Sequence, residues 1–203
     1  MVLIDRDILE LQGGDRWLID PFDEGCLQAA SYDVSLAEIH EMASVPNAVA
    51  LSDQDTIDSM YSPVDISNGY VIEPGKYVLA TIKERIDLPD NVAAHVMPRS
   101  RFTRLGLTVS AQHCNPGYEG VLTLGLRNDS PNKVVLTRGV CIAQLVFERL
   151  RDTPEPQRLY HSKKDAAYRG ESGFVGAKFD GGELSEEARR IYDSMVRSLS
   201  TRA

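Results

Sequence analysis

The chain has 203 residues, of which 42% are hydrophobic and 26% are charged, a composition typical of a soluble globular domain with its own core. No apolar run is long enough to cross a bilayer, and residues 1–8 lack the apolar segment of a signal peptide, so we expect a cytoplasmic protein with no membrane partner. The net charge of −8 argues against a nucleic-acid partner, although one local basic pocket would suffice for a single nucleotide. The cysteines and histidines are isolated along the chain, and the zinc-deaminase signature is missing, so no zinc site is expected.

The first third of the chain predicts few regular elements. Residues 5–11 predict a short helix that is capped by Asp5 and ended by the glycines after it, and residues 17–19 predict a short strand. In residues 29–36 apolar and polar side chains alternate, which predicts a half-buried strand. Residues 42–68 are rich in Ser, Asp and Asn, and we expect a mostly irregular excursion there.

The signal beyond Tyr70 is strongly β. Short apolar runs alternate with Pro, Gly and Asn turns about every ten residues, which favours a sandwich or barrel over parallel βαβ units. The predicted strands cover residues 71–72, 77–81, 92–97, 105–109, 121–126, 133–136 and 141–147. Residues 152–157 predict a linker, residues 163–180 are polar and glycine-rich, and residues 183–199 predict a C-terminal helix. Its apolar face comprises Leu184, Ala188, Ile191, Met195 and Leu199.

Residues 98–107 carry the most informative motif, in which Arg99, Ser100 and Arg104 precede or interrupt an apolar run. Arginines and a hydroxyl held together suit binding of an anion such as phosphate. A tight turn follows at residues 115–120, where Pro and Gly constrain the backbone before the next strand.

Five segments in this order resemble the motifs of the dCTP deaminase/dUTPase superfamily: residues 30–33, 98–107, 111–128, 136–145 and 168–174. The third segment and the run at residues 165–168 resemble the dCTP deaminase branch more than ordinary dUTPases. The resemblance covers residues 1–180, which would form one nucleotide-binding domain with a C-terminal flap at about 160–180. Residues 181–203 would be a helical extension of it.

The resemblance implies a mainly β fold, a distorted jelly roll or β-barrel with short N-terminal and C-terminal helices. It also implies a homotrimer whose active sites are shared between subunits, with a deoxypyrimidine nucleotide and Mg²⁺ as ligands. Arg99, Ser100 and Arg104 match positions that hold phosphate and organise the base, so Ser100 and Arg104 are also catalytic candidates. Asp33 matches an acid near the water shell of the metal, and Tyr168 matches a flap residue over the nucleotide.

The nucleotide-binding candidates of these motifs and the flap are Arg99, Ser100, Arg101, Arg104, Ala111, Asn115, Tyr118, Gln144, Tyr160, Tyr168 and Glu171. Asp33 and several of these residues have a structural alternative: Arg99 could form an ion pair, Asp33 could cap a turn, and Tyr160 and Tyr168 could simply pack the flap. Gln144 could be architectural.

The chain departs from the family pattern where the chemistry is concentrated. Gly125 stands where deaminases carry the glutamate that acts as general base, and Asn115 stands where dUTPases carry an aspartate. Neither residue can accept a proton at neutral pH, and losing a general base lowers a rate by roughly 10²–10⁴. Ala167 replaces a phosphate-binding lysine of deaminases, and Glu171 replaces a glutamine.

Three hypotheses remain open on the sequence. The first is a zinc-independent deaminase of a cytosine deoxynucleotide in which His113, Glu119 or Glu171 substitutes for the missing base. The second is a dUTPase-like or altered-substrate nucleotide hydrolase. The third is a non-catalytic homologue that binds a nucleotide or a protein.

Overall fold

The structure is a computed structural model that describes residues 1–14, 16–46, 48–179 and 184–200. Its helices are α1 (Asp5–Gln12), α2 (Gln54–Ser59), α3 (Ser100–Leu105) and α4 (Glu186–Ser200). Its strands are β1 (Ile19–Asp20), β2 (Tyr32–Met42), β3 (Tyr61–Val64), β4 (Tyr70–Ile72), β5 (Tyr77–Asp87), β6 (Val92–Pro98), β7 (Leu107–Val109), β8 (Gln112–Cys114), β9 (Glu119–Asn128), β10 (Val134–Leu136) and β11 (Cys141–Arg149). The predicted mainly β fold with flanking helices is confirmed.

The strands form one large antiparallel sheet in the order β7-β9-β5-β2-β11-β6-β8, with β1 paired to β5 and β3 paired to β2. Register shifts interrupt the pairings β11–β2, β2–β5 and β5–β9, and irregularities of this kind bend and twist a sheet. Strands β4 and β10 form a separate two-stranded ribbon. The largest side chains with almost no exposed surface come from several of these strands and from α1, among them Tyr32, Phe147, Ile8, Ile39 and Ile86.

The prediction that β2 is half-buried is wrong, because both of its faces are covered. Its apolar residues lie in the core, and the polar Ser31, Asp33 and Ser35 are also buried. Burial of these polar groups is tolerated because they have partners: Asp33 pairs with Arg99, and the Ser35 backbone N–H and hydroxyl both donate to the carboxylate of Glu84. Apolar and polar residues therefore alternate in this central strand although both of its faces are buried in the protein.

The segment at residues 42–68 is mostly irregular, as predicted, but it also contains two short regular elements. Helix α2 begins after Asp53, whose carboxylate accepts hydrogen bonds from the backbone N–H and hydroxyl of Thr56, and Ile57 anchors the helix in the core. Strand β3 then pairs with the end of β2. The polar composition of the segment hid one N-cap and one short edge strand.

Smaller corrections concern the two ends of the chain. The N-cap of α1 is Ile4 rather than Asp5, and the Asp7 carboxylate accepts a hydrogen bond from the Ile4 N–H at 3.0 Å. Helix α4 confirms the C-terminal helix from Glu186 onward, whereas residue 183 of the predicted range lies outside the described residues. Among the described residues no helix is long and apolar enough to span a membrane.

Strand β7 starts two residues later than predicted, because α3 occupies residues 100–105. Gly106 ends this helix with a left-handed φ of 82°, a conformation that favours glycine. The arginine motif therefore begins at Arg99, the N-cap residue directly after β6, and continues along the short helix α3.

Candidate functional site

A cavity of about 540 Å³ opens where β5, β8 and β9 meet the segment after β11. Its wall includes Gln112, His113, Cys114, Asn115, Tyr118, Leu122 and Thr123 from β8, β9 and the turn between them. The segment after β11 covers it with Tyr160, Tyr168, Glu171, Val175, Gly176 and Ala177, and Met42, Tyr61, Tyr77 and Leu79 complete it. The sequence-predicted turn and flap thus meet around one cavity.

Glu171 is the acidic residue at this cavity wall. Its Oε1 accepts a hydrogen bond from the Tyr118 hydroxyl at 2.8 Å, whereas its Oε2 is buried without a hydrogen-bond partner. Burial disfavours the ionised carboxylate and raises the pKa of Glu171 to about 7, an effect that the Tyr118 hydrogen bond only partly offsets. A carboxyl group with this pKa exchanges protons readily at neutral pH.

The two other predicted substitute bases have different surroundings. Glu119 forms an ion pair with Arg85 at 2.6 Å, and this hydrogen bond holds the pKa of Glu119 below its usual value. His113 lines the cavity but its Nδ1 lies 3.4 Å from the Nδ1 of His95, and its side chain is exposed. Of the two carboxylates, Glu171 is therefore the one whose environment favours proton transfer at neutral pH.

Gly125 lies behind Tyr77 rather than at the cavity surface. A Cβ atom built on Gly125 would be 2.3 Å from the Tyr77 Oη and 2.9 Å from its Cζ. The Tyr77 ring thus fills the volume into which a side chain at position 125 would project.

A second cavity of about 260 Å³ collects most of the predicted phosphate-binding residues. It is lined by Gln28, Ser31, Asp33, Arg99, Ser100, Arg101 and Gln144. The Arg99 Nη2 lies 2.9 Å from the Oδ2 of Asp33, and Gln144 accepts a hydrogen bond from the Ser31 hydroxyl at 3.0 Å. Two guanidinium groups against one carboxylate leave a positive balance, which suits a polyanion.

Burial raises the pKa of Asp33, although the charges of Arg99 and Arg101 act in the opposite direction. The ion pair that the sequence analysis named as a structural alternative for Arg99 is present, and its partner is Asp33. Both residues nevertheless line the cavity, so the ion pair also positions the guanidinium group at its wall.

Arg104 and Ala111 lie outside the described linings of both cavities. Arg104 projects from the exposed side of α3, and its guanidinium group makes no hydrogen bond or ion pair with the described residues. Its charge is available to a ligand or to another subunit.

The segment at residues 160–179 is held against the body of the protein at both ends. Near its start, the Nε2 of His161 lies 3.0 Å from the Oδ1 of Asp90, and the Tyr160 ring packs edge-on against Tyr118. Near its end, Phe174 stacks on His40, and the Gln54 side chain bonds the backbone of Ala177 and Phe179. In its middle, the Val121 N–H donates to the Glu171 carbonyl, as if the flap extended the sheet.

Comparisons with known proteins agree with this geometry. The profile of the family described as dCTP deaminase-like matches residues 2–150. The chain belongs to the dCTP deaminase-like family. It is 36% identical over 190 residues to a dCTP deaminase of Haloarcula marismortui, covering 89% of this chain and 96% of the relative. It is also 36% identical over 182 residues to a dUMP-forming dCTP deaminase of Beutenbergia cavernae, covering 85% and 92%.

A solved structure also resembles the chain, that of a 2′-deoxycytidine 5′-triphosphate deaminase from Agrobacterium tumefaciens. The TM-score is 0.60 at 25% identity, and the match covers 73% of this chain but 48% of that one, so the chain spans about half of its length. The expected family and fold are thereby confirmed, and the chain is a dCTP deaminase-like protein.

The described residues contain no group of three or more His, Cys, Asp or Glu side chains that could hold a metal ion. Asp33 is a single, buried carboxylate beside the arginine cavity. This donor set fits a Mg²⁺ ion that arrives with nucleotide phosphates and keeps most of its water, rather than one held by protein ligands alone.

Sequence reasoning missed several wall residues of the larger cavity, above all Tyr61, Tyr77 and Thr123. Thr123 lies in the same strand as Gly125, two residues earlier, so its side chain points to the same face, a period that was readable in the sequence. The positions of Tyr61 and Tyr77 depend on the pairing of β3 and β5 with distant strands, for which the sequence carries no local signal.

Proposed function

We propose that this dCTP deaminase-like protein catalyses the hydrolytic deamination of a cytosine deoxynucleotide, with Glu171 in place of the usual general base. Its relatives are named as dCTP deaminases over nearly their whole length. The observation that carries the proposal is the buried Glu171 carboxyl group, with one unpartnered oxygen and a raised pKa, at the wall of the larger cavity.

In this reaction the ionised Glu171 takes a proton from water, and the hydroxide so formed bonds to C4 of the cytosine ring. The resulting tetrahedral carbon then releases its amino group when the C4–N4 bond breaks. The proton that Glu171 took from water passes to ring N3, and the proton of the new C4 hydroxyl then passes through Glu171 to the leaving nitrogen, so ammonia departs and a carbonyl remains at C4. The Tyr118 hydroxyl, 2.8 Å from Oε1, fixes the orientation of the carboxylate during both transfers.

The phosphates belong, in this proposal, to the arginine cavity. Arg99, Arg101 and Ser100 supply charge and a hydroxyl there, and Asp33 would contact the water shell of a Mg²⁺ ion that neutralises the phosphates. The two cavities share no lining residue in the described parts of the chain, which supports a homotrimer in which one subunit contributes the phosphate site and another the base site. The exposed Arg104 would then reach the neighbouring site.

The domain boundaries belong to the same proposal. Residues 1–180 would form the nucleotide-binding unit with a flap at about 160–180, and the described part of this flap, residues 160–179, contributes to the wall of the larger cavity. Residues 181–203 are an extension in which the described part of α4 leaves Ile191 and Met195 more than half exposed, at 51% and 57%.

A second candidate is an altered-substrate nucleotide hydrolase, and one observation favours it. Tyr77 fills the volume of the missing glutamate, so the wall at this point presents a phenol where deaminases present a carboxylate. A wall so remodelled also suits a pyrimidine other than cytosine. The same pair of residues is compatible with a protein that binds a nucleotide without turnover.

The test is to incubate the purified protein with Mg²⁺ and a panel of cytosine and uracil mono- and triphosphates. Each nucleotide is followed by mass spectrometry and by ammonia release. We expect ammonia from a cytosine nucleotide, and a rate roughly 10²–10⁴ lower for Glu171→Gln. Glu119→Gln is the matched control, because this carboxylate is paired with Arg85.

Release of phosphate or pyrophosphate from a uracil nucleotide without any ammonia would support the hydrolase instead. Binding without any turnover would support the non-catalytic homologue. Full deaminase activity in Glu171→Gln would exclude Glu171 as the base.

A further inference from the structure

Gly125 and Tyr77 form a complementary pair across two neighbouring strands. Leu79 is the direct partner of Gly125 in the β5–β9 register, and Tyr77 stands two residues before Leu79 on the same face of β5. The ring therefore reaches diagonally over Gly125, where its Oη, Cζ and Cε2 lie 2.3, 2.9 and 3.0 Å from an ideal Cβ position. A real Cβ atom essentially never lies within 3.0 Å of another group, as it would of Oη and Cζ here, so the observed ring position requires glycine at 125.

The ring is held by the strand below it and open to the cavity above it. Tyr77 lines the cavity, and 41% of its surface is still exposed, so a ligand can reach it. Its hydroxyl makes no hydrogen bond with the described residues. Burial raises the pKa of Tyr77, so the hydroxyl stays protonated at neutral pH and can both donate and accept a hydrogen bond.

Thr123 extends the same polar wall. Its side chain lies on the face of β9 that also carries Gly125, and its Oγ1 is buried without a hydrogen-bond partner. Its backbone carbonyl accepts a hydrogen bond from the Gln112 amide at 2.7 Å, which fixes Gln112 at the wall. Buried polar groups are otherwise paired, so the Thr123 hydroxyl, together with the exposed Tyr77 hydroxyl of the same cavity wall, indicates a surface that contacts a polar ligand.

We propose that Tyr77 is a base-binding residue whose hydroxyl, in the volume of the family's missing glutamate side chain, hydrogen-bonds the base edge of a pyrimidine nucleotide. This inference rests on the proposed function only in taking a pyrimidine nucleotide as the ligand. A carboxylate can only accept hydrogen bonds, whereas a neutral phenol can also donate one. The wall therefore suits a ring carbonyl as well as an amino group, and we expect cytosine and uracil nucleotides to bind with comparable affinity.

The direct test is Tyr77→Phe, which removes the hydroxyl and keeps the ring over Gly125. Dissociation constants for dCTP, dUTP and tripolyphosphate are measured with Mg²⁺ by calorimetry. We expect affinity for both nucleotides to fall roughly 3- to 10-fold, the effect of one lost hydrogen bond, and affinity for tripolyphosphate to stay unchanged. Tyr70→Phe is the control, because it removes a hydroxyl bound to Glu41 and outside the described cavity lining.

A reciprocal exchange tests the shared volume. Gly125→Glu alone forces the Tyr77 ring into the cavity, so we expect weaker nucleotide binding. The double variant Gly125→Glu with Tyr77→Gly removes the ring and leaves room for the new carboxylate. We expect it to deaminate dCTP at least about 10-fold faster than Gly125→Glu alone or Tyr77→Gly alone.

The outcomes separate this inference from the proposed function. Nucleotide affinities within twofold of the wild type in Tyr77→Phe would overturn the role of Tyr77, whether or not the protein deaminates dCTP. Loss of affinity in Tyr77→Phe in a protein that releases no ammonia would support Tyr77 and overturn the proposed reaction. A wild type that binds no pyrimidine nucleotide would overturn both.

Discussion

The ring of Phe174 in the flap lies face to face with the imidazole of His40 in β2, with ring centroids 3.7 Å apart and planes inclined by 12°. Tyr61 meets the same phenyl ring edge-on at 5.3 Å, and its hydroxyl accepts a hydrogen bond from the Ala177 N–H. Gly176 is equally close, because a Cβ there would be 2.5 Å from the Tyr61 ring. The segment that contains α2 and β3 thus packs against the end of the flap.

Removing the stacked ring should release the end of the flap. We expect Phe174→Ala to speed proteolytic cleavage within residues 165–179 and to weaken nucleotide binding about 10-fold, because the closed flap forms part of the cavity wall. Limited proteolysis with mass mapping and calorimetry measure the two effects. Val135→Ala, at a residue 65% exposed in β10, is the control. Unchanged cleavage in Phe174→Ala would show that the stack does not hold the flap.

The raised pKa of Glu171 predicts a rate that depends on pH near neutrality. Because the base must be ionised, kcat/KM should rise with pH and level off above about 7, rather than above the ordinary glutamate value of 4.5. A pH profile of cytosine nucleotide deamination measures the midpoint. A midpoint near 4.5 would assign the base to a solvated carboxylate instead.

The same group predicts the pH dependence of stability, with a sign that can be worked out. Its pKa is raised on folding, so its stabilising contribution is complete below pH 4.5 and is lost as pH rises to about 7. Glu171→Gln should therefore gain stability relative to the wild type across this window. Glu119 has a lowered pKa because of Arg85, so Glu119→Gln should be less stable than the wild type above pH 4.5, by a difference that shrinks as pH falls below 4.5. Urea unfolding at pH 4, 5.5 and 7.5 compares the two variants; equal trends in both would contradict the assignment.

Arg99 and Arg104 offer a contrast between a paired and an exposed guanidinium group. Arg104→Ala should weaken triphosphate binding at least about 10-fold without lowering stability, because Arg104 has no partner among the described residues. Arg99→Ala should lower both, because it leaves the buried Asp33 carboxylate without its partner. Calorimetry with dCTP and Mg²⁺, together with thermal unfolding, separates the effects. Unchanged affinity in both variants would remove these arginines from the phosphate site.

The motifs that the sequence carries are local, and for that reason they were found. The arginine motif, the Asn-Pro-Gly turn and the glycine-rich flap each lie in one short segment, and the residue types within that segment indicate its backbone conformation. The vacant position Gly125 was also visible in the sequence. The sequence did not show that Tyr77 fills the space beside Gly125, because Tyr77 reaches that space only through the pairing register of β5 with β9.

Burial was harder to predict than strand position. The alternation in β2 correctly located a strand but not its covered polar face, because the partners Glu84 and Arg99 come from distant elements. The pKa of Glu171 is a similar case. Its environment arises when the flap folds back on the start of β9, a contact that no local pattern predicts.

Gly117 in the Asn-Pro-Gly turn joins the turn to the base of the flap. Its φ of 74° is left-handed, and a Cβ there would lie 2.6 Å from the Cδ2 of His161. Gly117→Ala should therefore lower the free energy of unfolding by roughly 1–3 kcal/mol, through backbone strain and displacement of His161.

The double variant Gly117→Ala with His161→Ala separates these causes, because it relieves the contact and leaves the strained backbone. It also removes the bond of His161 to Asp90, so His161→Ala alone is the reference. Adding Gly117→Ala to that reference should cost less than adding it to the wild type, and chemical denaturation of the four proteins measures the difference. Equal costs in both backgrounds would mean that the imidazole moves aside freely and that backbone strain alone demands glycine in this turn.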